Sequence, residues 1–199
     1  MLLPHVAKIL APGQDIGGYS LRTVCWLRLA KLGHGDSLLA LCMDNARPKT
    51  LLYKRSRFAT QLPADYLYSP SHAWIAPAGE GIWRVGLTKF ATRMLGEMVD
   101  HGFEVEKGAL VQCGQIIGWI EGFKAISDLF CIAQGEFTGS NPVLKEKIDL
   151  ITRDPYKAGW LYQVKGNPDS KCLEVHAYRD LLDKTIDRIL AQQKGEEIK

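Results

Sequence analysis

A lysine on a tight turn between two stiff apolar segments offers an exposed primary amine on a rigid base, and Lys124 occupies such a place. It sits in Glu121-Gly122-Phe123-Lys124-Ala125-Ile126-Ser127-Asp128. The apolar run Ile116-Ile117-Gly118-Trp119-Ile120 precedes this segment and Leu129-Phe130-Cys131-Ile132-Ala133 follows it. An amine held this way suits acylation by a modifying enzyme, because the enzyme meets a fixed target and need not unfold anything. A swinging acyl arm has the same need of a stiff base and a free tip. The plainer reading, a surface lysine on a turn, stays open on the pattern alone.

Other chemistries find little support. No nucleophile–base arrangement or phosphate-binding loop is evident. The five histidines are scattered without metal-ligand spacing, and His72 and His101 read as structural. The five cysteines, Cys25, Cys42, Cys113, Cys131 and Cys172, form no Cys-x-x-Cys pair. With an odd count as well, neither a disulfide framework nor a zinc site is supported, and a reducing compartment fits best. Cys131, inside an apolar run, reads as a small buried hydrophobe. No stretch of 18 apolar residues occurs, so no membrane span is expected.

The net charge of +3 is unevenly spread. Residues 1–65 carry nine Lys/Arg against four acids, or +5, and residues 66–199 carry sixteen against eighteen, or −2. The pI of about 8.5 therefore says nothing about a nucleic-acid surface on the main domain, which reads as a solvated, mixed surface. Residues 1–65 read as an N-terminal extension and basic arm. For residues 1–45 three readings stay open: a short amphipathic helix over 21–32, a mitochondrial transit peptide, or an extension upstream of a true start at Met43. Residues 46–65 read as an irregular arm whose Lys54, Arg55 and Arg57 either contact an acidic partner or are simply solvated.

Behind the arm come the elements that must position Lys124. Leu67-Tyr68, Ala73–Ala76 and Ile82–Leu87 read as strands, the last two joined by a turn at Gly79-Glu80-Gly81. Thr88 can cap a short helix with Phe90, Met94 and Leu95 on one face. Met98-Val99, Phe103–Val105 and Leu110-Val111 are further strand pieces. The apolar runs either side of Gly122–Ala125 form a hairpin, Gln134-Gly135-Glu136 turns again, and Trp160–Val164 closes the set. Tyr178, Leu181, Leu182, Thr185, Ile186, Ile189 and Leu190 recur at helical spacing. Many short strands with glycine turns point to a small barrel or sandwich. The domain is bounded at 66–170, with a C-terminal helix over 171–199 packed on it.

Ordered matches from Tyr68 to Val164 resemble the glycine cleavage system H protein family. Tyr68-Ser69-Pro70-Ser71-His72-Ala73-Trp74 is similar to the family's Tyr-x-x-x-His-x-Trp, Val85-Gly86-Leu87-Thr88 to Val-Gly-Ile-Thr, and Leu95-Gly96-Glu97-Met98-Val99 to Leu-Gly-Asp-Val-Val. Glu121 to Asp128 resembles Glu-Ser-Val-Lys-Ala-x-Ser-Asp, which surrounds the family's lipoyl lysine. Gly135-Glu136, Asn141, Asp154-Pro155-Tyr156 and Gly159-Trp160-Leu161 continue the series.

The resemblance implies a mainly β fold, a barrel-sandwich hybrid of the lipoyl/biotinyl type with peripheral helices. It implies a non-enzymatic carrier with lipoate covalently on Lys124. Glu121, three before the lysine, and Gly135, eleven after it, would guide the lipoylating enzyme. Ser71 and Asp128 would contact the cargo arm. The carrier would shuttle the aminomethyl group of glycine among glycine decarboxylase (a pyridoxal-phosphate protein), an aminomethyltransferase and a dihydrolipoyl dehydrogenase. It would do so as a cytoplasmic monomer, without nucleic acid or membrane, or in mitochondria if residues 1–45 are a transit peptide. Two departures bear on the cargo. The family usually has a glutamate where Ala73 stands, and an Asp-His pair where Lys89-Phe90 stand. Fewer carboxylates and an added ammonium predict a weak hold on a cationic cargo. The alternatives are a divergent lipoyl carrier or lipoyl donor outside glycine cleavage, and an unmodified interaction module on the same fold.

Overall fold

The computed structural model describes residues 49–196. The amphipathic stretch over 21–32, the alternative start at Met43, Cys25 and Cys42 lie outside the described residues.

The described chain opens with a β-hairpin, β1 (Thr50–Arg55) and β2 (Phe58–Pro63), where the sequence suggests an irregular arm. Alternation drives it: Tyr53, Phe58 and Leu62 are buried while Leu52, Lys54 and Ala59 face out. Then follow β3 (Leu67–Tyr68), β4 (Ala73–Gly79), β5 (Ile82–Leu87), helix α1 (Lys89–Leu95), β6 (Met98–Phe103), β7 (Leu110–Val111), β8 (Ile116–Gly122), β9 (Ala125–Phe130) and β10 (Ala133–Ser140). A 3-10 turn (Pro142–Lys145), α2 (Leu150–Arg153), β11 (Tyr162–Pro168) and α3 (Val175–Glu196) complete the order.

The strands form three sheets: the β1-β2 hairpin, a six-stranded sheet in the order β3-β4-β5-β11-β10-β7, and a three-stranded sheet β6-β8-β9. The expected barrel-sandwich hybrid is corrected here, because the sheets do not close into a barrel. Closure needs the outer strands to pair with each other. The outer strands of the large sheet, β3 and β7, are two residues long, and β3 turns its free side to an isolated bridge from Tyr68 to Leu173. The result is a mainly β, sandwich-like domain with helices at its periphery. Ile75, Val85, Phe137 and Val164 from the large sheet share one core with Met98, Ile117, Ile120 and Leu129 from the small one.

Strand β4 is buried on both faces, which accounts for its unbroken apolar run. Ala73 and Ile75 enter the sandwich core. Trp74 and Ala76 enter a second core with Tyr53, Phe58 and Leu62 of the hairpin, Phe90 of α1, and Tyr178, Leu182 and Ile186 of α3. The basic arm finds its acidic partner in its own chain: Arg55 donates from Nε to Asp187 (2.8 Å) and pairs with Asp183 (3.1 Å). Asp180 pairs with Arg179 at 2.7 Å. Cys131 is fully buried, and its thiol contacts the Ala133 carbonyl.

Gln134–Glu136 lies inside β10 and is no turn. Gly135 takes φ +145°, and a Cβ there would stand 2.1 Å from the Lys165 carbonyl oxygen of β11. Its lack of a side chain is what lets β10 and β11 pair.

The hairpin is thus integral to the fold. Leu62 is fully buried and Leu52 is 76% exposed. Leu62→Ala should cost about 2–5 kcal/mol in urea unfolding, and Leu52→Ala less than about 0.5 kcal/mol.

Candidate functional site

Lys124 and Phe123 form the two-residue tip between β8 and β9, with Gly122 paired to Ala125. The tip is tied down by its backbone. The Phe123 amide donates to the Glu97 carbonyl (2.8 Å) and the Lys124 amide to the Leu95 carbonyl (2.9 Å). These acceptors lie at the C-terminal end of α1, where helix carbonyls lack partners of their own. Gly96 between them takes φ +88°, and a Cβ there would lie 3.1 Å from Lys124 Cγ. The lysine stem therefore runs across Gly96. Its side chain is exposed, as Phe123 is at 85%.

Helix α1 is in turn anchored at its start. Thr88 caps it, accepting from the Ala91 amide (3.3 Å), and its hydroxyl donates to the His72 carbonyl (2.8 Å). The Tyr178 hydroxyl of α3 lies 3.1 Å from Thr88 Oγ and 3.0 Å from His72 Nδ1. One placement of hydrogens satisfies all of these contacts: neutral His72 donates from Nδ1 to Tyr178, Tyr178 donates to Thr88, and Thr88 donates back to the His72 carbonyl. Burial favours the neutral ring and pushes the His72 pKa down from 6.5 to about 4. His72 also takes φ +64°, which suits its place after the Ser69–Ser71 turn.

Two recesses flank α1. On one face Phe90, Ala91, Met94 and Leu95 border a cavity of about 230 Å³ that Ser71 and Asp128 also line. The structure thus brings these two residues to one cavity, with the Ala73 side beside them carrying no carboxylate. Ser71 is exposed and shares a 2.6 Å contact with the Ser69 hydroxyl. On the other face Lys89, Thr92, Arg93 and Gly96 border a groove of about 550 Å³ that also takes in Lys124 and Phe58. Lys89 does not enter the Ser71–Asp128 cavity. Its ammonium donates to the Thr152 carbonyl (2.6 Å) across the other groove, so the ammonium expected near the cargo lies on the far side of the helix. Phe90 packs 4.6 Å from the His72 ring.

Of the two residues expected to guide a lipoylating enzyme, Glu121 sits in β8, half-buried, opposite Ile126. Gly135 lies in β10, paired to Val111 of β7, and has the packing reason given above. Phe58 and Ala59 of the groove wall were not legible as site residues; the Tyr53, Phe58 and Leu62 alternation is the signal that carried them. No group of His, Cys, Asp and Glu that would hold a metal occurs among the described residues.

A family model described as Glycine cleavage H-protein matches residues 66–185. The glycine cleavage system H protein of Corynebacterium jeikeium is 37% identical over 124 residues, covering 60% of this chain and 96% of that protein. That of Shigella dysenteriae is 33% identical over 127 residues, covering 62% and 98%. A crystal structure of a glycine cleavage system H protein from Mycobacterium marinum superposes with a TM-score of 0.54 at 34% identity, covering 59% of this chain and 95% of that one.

Two measurements check this geometry. Gly96→Ala should lose about 1–3 kcal/mol of stability in denaturant melts, because the residue is forced to a conformation that side chains avoid. For His72, the unfolded chain binds the proton more readily than the folded one. Stability should therefore be complete above pH 6.5 and fall by up to about 3 kcal/mol as pH drops toward 4. His72→Asn, which tolerates the left-handed backbone, should flatten that slope in unfolding curves at pH 7 and 5.

Proposed function

Since the chain belongs to the glycine cleavage H-protein family, we propose that it is a lipoyl carrier that shuttles the aminomethyl group of glycine on Lys124 between partner enzymes. The observation that carries this reading is the tethered tip: an exposed amine whose backbone is hydrogen-bonded to the end of α1. The residues present fit a lipoyl group. The amine is accessible, its base is stiff, and recesses open on either side of the helix beneath it.

When attached, the dithiolane supplies the redox and group-carrying chemistry, and the partner enzymes supply catalysis. The chain's own residues orient and hold. Lys124 fixes the origin of the arm. Glu121 and Gly135 present the hairpin to the lipoylating enzyme, Gly135 by allowing the β10–β11 pairing behind it. Asp128 and Ser71 offer a carboxylate and a hydroxyl to a cationic cargo, with Asp128 the acidic residue of that cavity. The partners in this reading are glycine decarboxylase, the aminomethyltransferase and dihydrolipoyl dehydrogenase, met in the cytoplasm. The free thiols of Cys113, Cys131 and Cys172 support a reducing setting.

Ala73 favours a second reading. The cavity has one carboxylate where the family usually has two, which weakens its hold on a cation. A lipoyl carrier or donor outside glycine cleavage would tolerate that loss.

Intact mass and peptide mapping of the natively expressed chain test the reading. One lipoyl group on Lys124 is expected, and none on Lys124→Arg, which should also lose support of glycine–bicarbonate exchange with the partner enzymes. A bare Lys124 from lipoate-replete cells overturns it. A lipoylated chain that fails to support exchange selects the second reading.

A further inference from the structure

Resting on the reading of Lys124 as lipoylated, we propose that the groove between α1 and the β1–β2 hairpin is a bed for the uncharged lipoyl arm. Its outer wall, Phe58 and Ala59, comes from Thr50–Pro63, which lies before the segment the family model matches. This chain has therefore added a surface beside the lysine that the matched segment does not contain.

The lysine stem already points the arm that way. Cγ and Cδ would stand 3.1 and 3.5 Å from a Cβ on Gly96, and Gly96 lines the groove. The volume of about 550 Å³ lies within the range of roughly 300–1,000 Å³ of small-molecule sites. The apolar wall is set by packing: the Phe58 ring meets Phe90 edge-on at 5.6 Å and Tyr53 at 6.1 Å. Phe123, next to the lysine, is the other apolar surface, and it is exposed. A five-membered dithiolane is apolar and polarisable, and sulfur sits well against aromatic rings.

Charge sorts what the bed accepts. Lys89 is held by the Thr152 carbonyl, and Arg93 by the Arg57 carbonyl (2.9 Å), with its guanidinium over the Phe58 ring at 5.7 Å. Against these two cations the groove holds one carboxylate, Glu97. A neutral arm enters at no electrostatic cost, whereas an arm bearing an ammonium is repelled. The cavity on the other face of α1, with Asp128, has the opposite sign. The seven-residue helix is thus a ridge between a basic bed and an acidic one.

The test uses the full chain carrying its lipoyl group, verified by intact mass. Nuclear Overhauser contacts are sought between lipoyl protons and the Ala59 methyl and the Phe58 and Phe123 rings. The rate at which a water-soluble phosphine reduces the lipoyl disulfide is compared with that of Ala59→Trp and Ala59→Arg. Ala59 is exposed, so both replacements fill the groove and spare the core. Contacts to Ala59 and Phe58 are expected, with reduction roughly tenfold faster in both variants, equivalent to about 1.4 kcal/mol of docking. A lipoylated chain without these contacts, and with equal rates in all three proteins, overturns the bed and leaves the carrier reading standing. A chain that carries no lipoyl group in lipoate-replete cells overturns both.

Discussion

Two backbone hydrogen bonds set the geometry on which the site depends. The amides of Phe123 and Lys124 end on the carbonyls of Glu97 and Leu95. A helix end and a hairpin tip each leave backbone groups without regular partners, and here each completes the other. The position of the lysine therefore follows from the position of α1. That helix is only seven residues long and would not be stable alone. Packing holds it: Phe90 lies in the second core and Leu95 in the first.

The ring of hydrogen bonds among His72, Tyr178 and Thr88 extends this dependence to the C-terminal helix. Tyr178 is fully buried, stacked on Tyr68 at 4.5 Å, and its hydroxyl reaches the cap of α1. The start of α1 is thus fixed by α3 and its end fixes Lys124. In the carrier role proposed for this chain the arm must move while its base stays still. The Lys124 side chain is exposed, and its base is held by elements remote in sequence.

Much of this was legible in the residues. Thr88 as a cap, the strand before Lys124, the burial of Cys131 and the apolar stripe of the last helix all follow from local period and residue type. The strand after the lysine, expected over the apolar run 129–133, runs instead over the mostly exposed Ala125–Phe130. What escaped was long-range. Gly135 looks like a turn because glycine serves both turns and close backbone crossings, and only the approach of Lys165 distinguishes them. The first hairpin lacks an Asn-Gly or Asp-Gly signal; its turn is Ser56-Arg57, with Ser56 at φ +52°. Lys89 is expected near the cargo because it stands, with Phe90, where the family usually has an Asp-His pair. Yet successive helix residues point about 100° apart, and Phe90 rather than Lys89 borders the Ser71–Asp128 cavity. Barrel closure depends on whether the short outer strands meet, which strand count alone does not decide.

The second core joins the first strands of the described chain to its last helix: Tyr53 bonds to Asp183 at 2.8 Å, 130 residues away. Contacts this distant in sequence close a long loop before they return any energy. On a ribosome the hairpin emerges well before α3, so the α3 side of the core that holds Phe58 and Leu62 closes only afterwards. The groove beside Lys124 has Phe58 as its wall, and Phe58 shares its core with α3. A chain cut before α3 is expected to lose the Tyr178, Leu182 and Ile186 side of the core behind Phe58, and with it the backing of one wall of the groove beside Lys124.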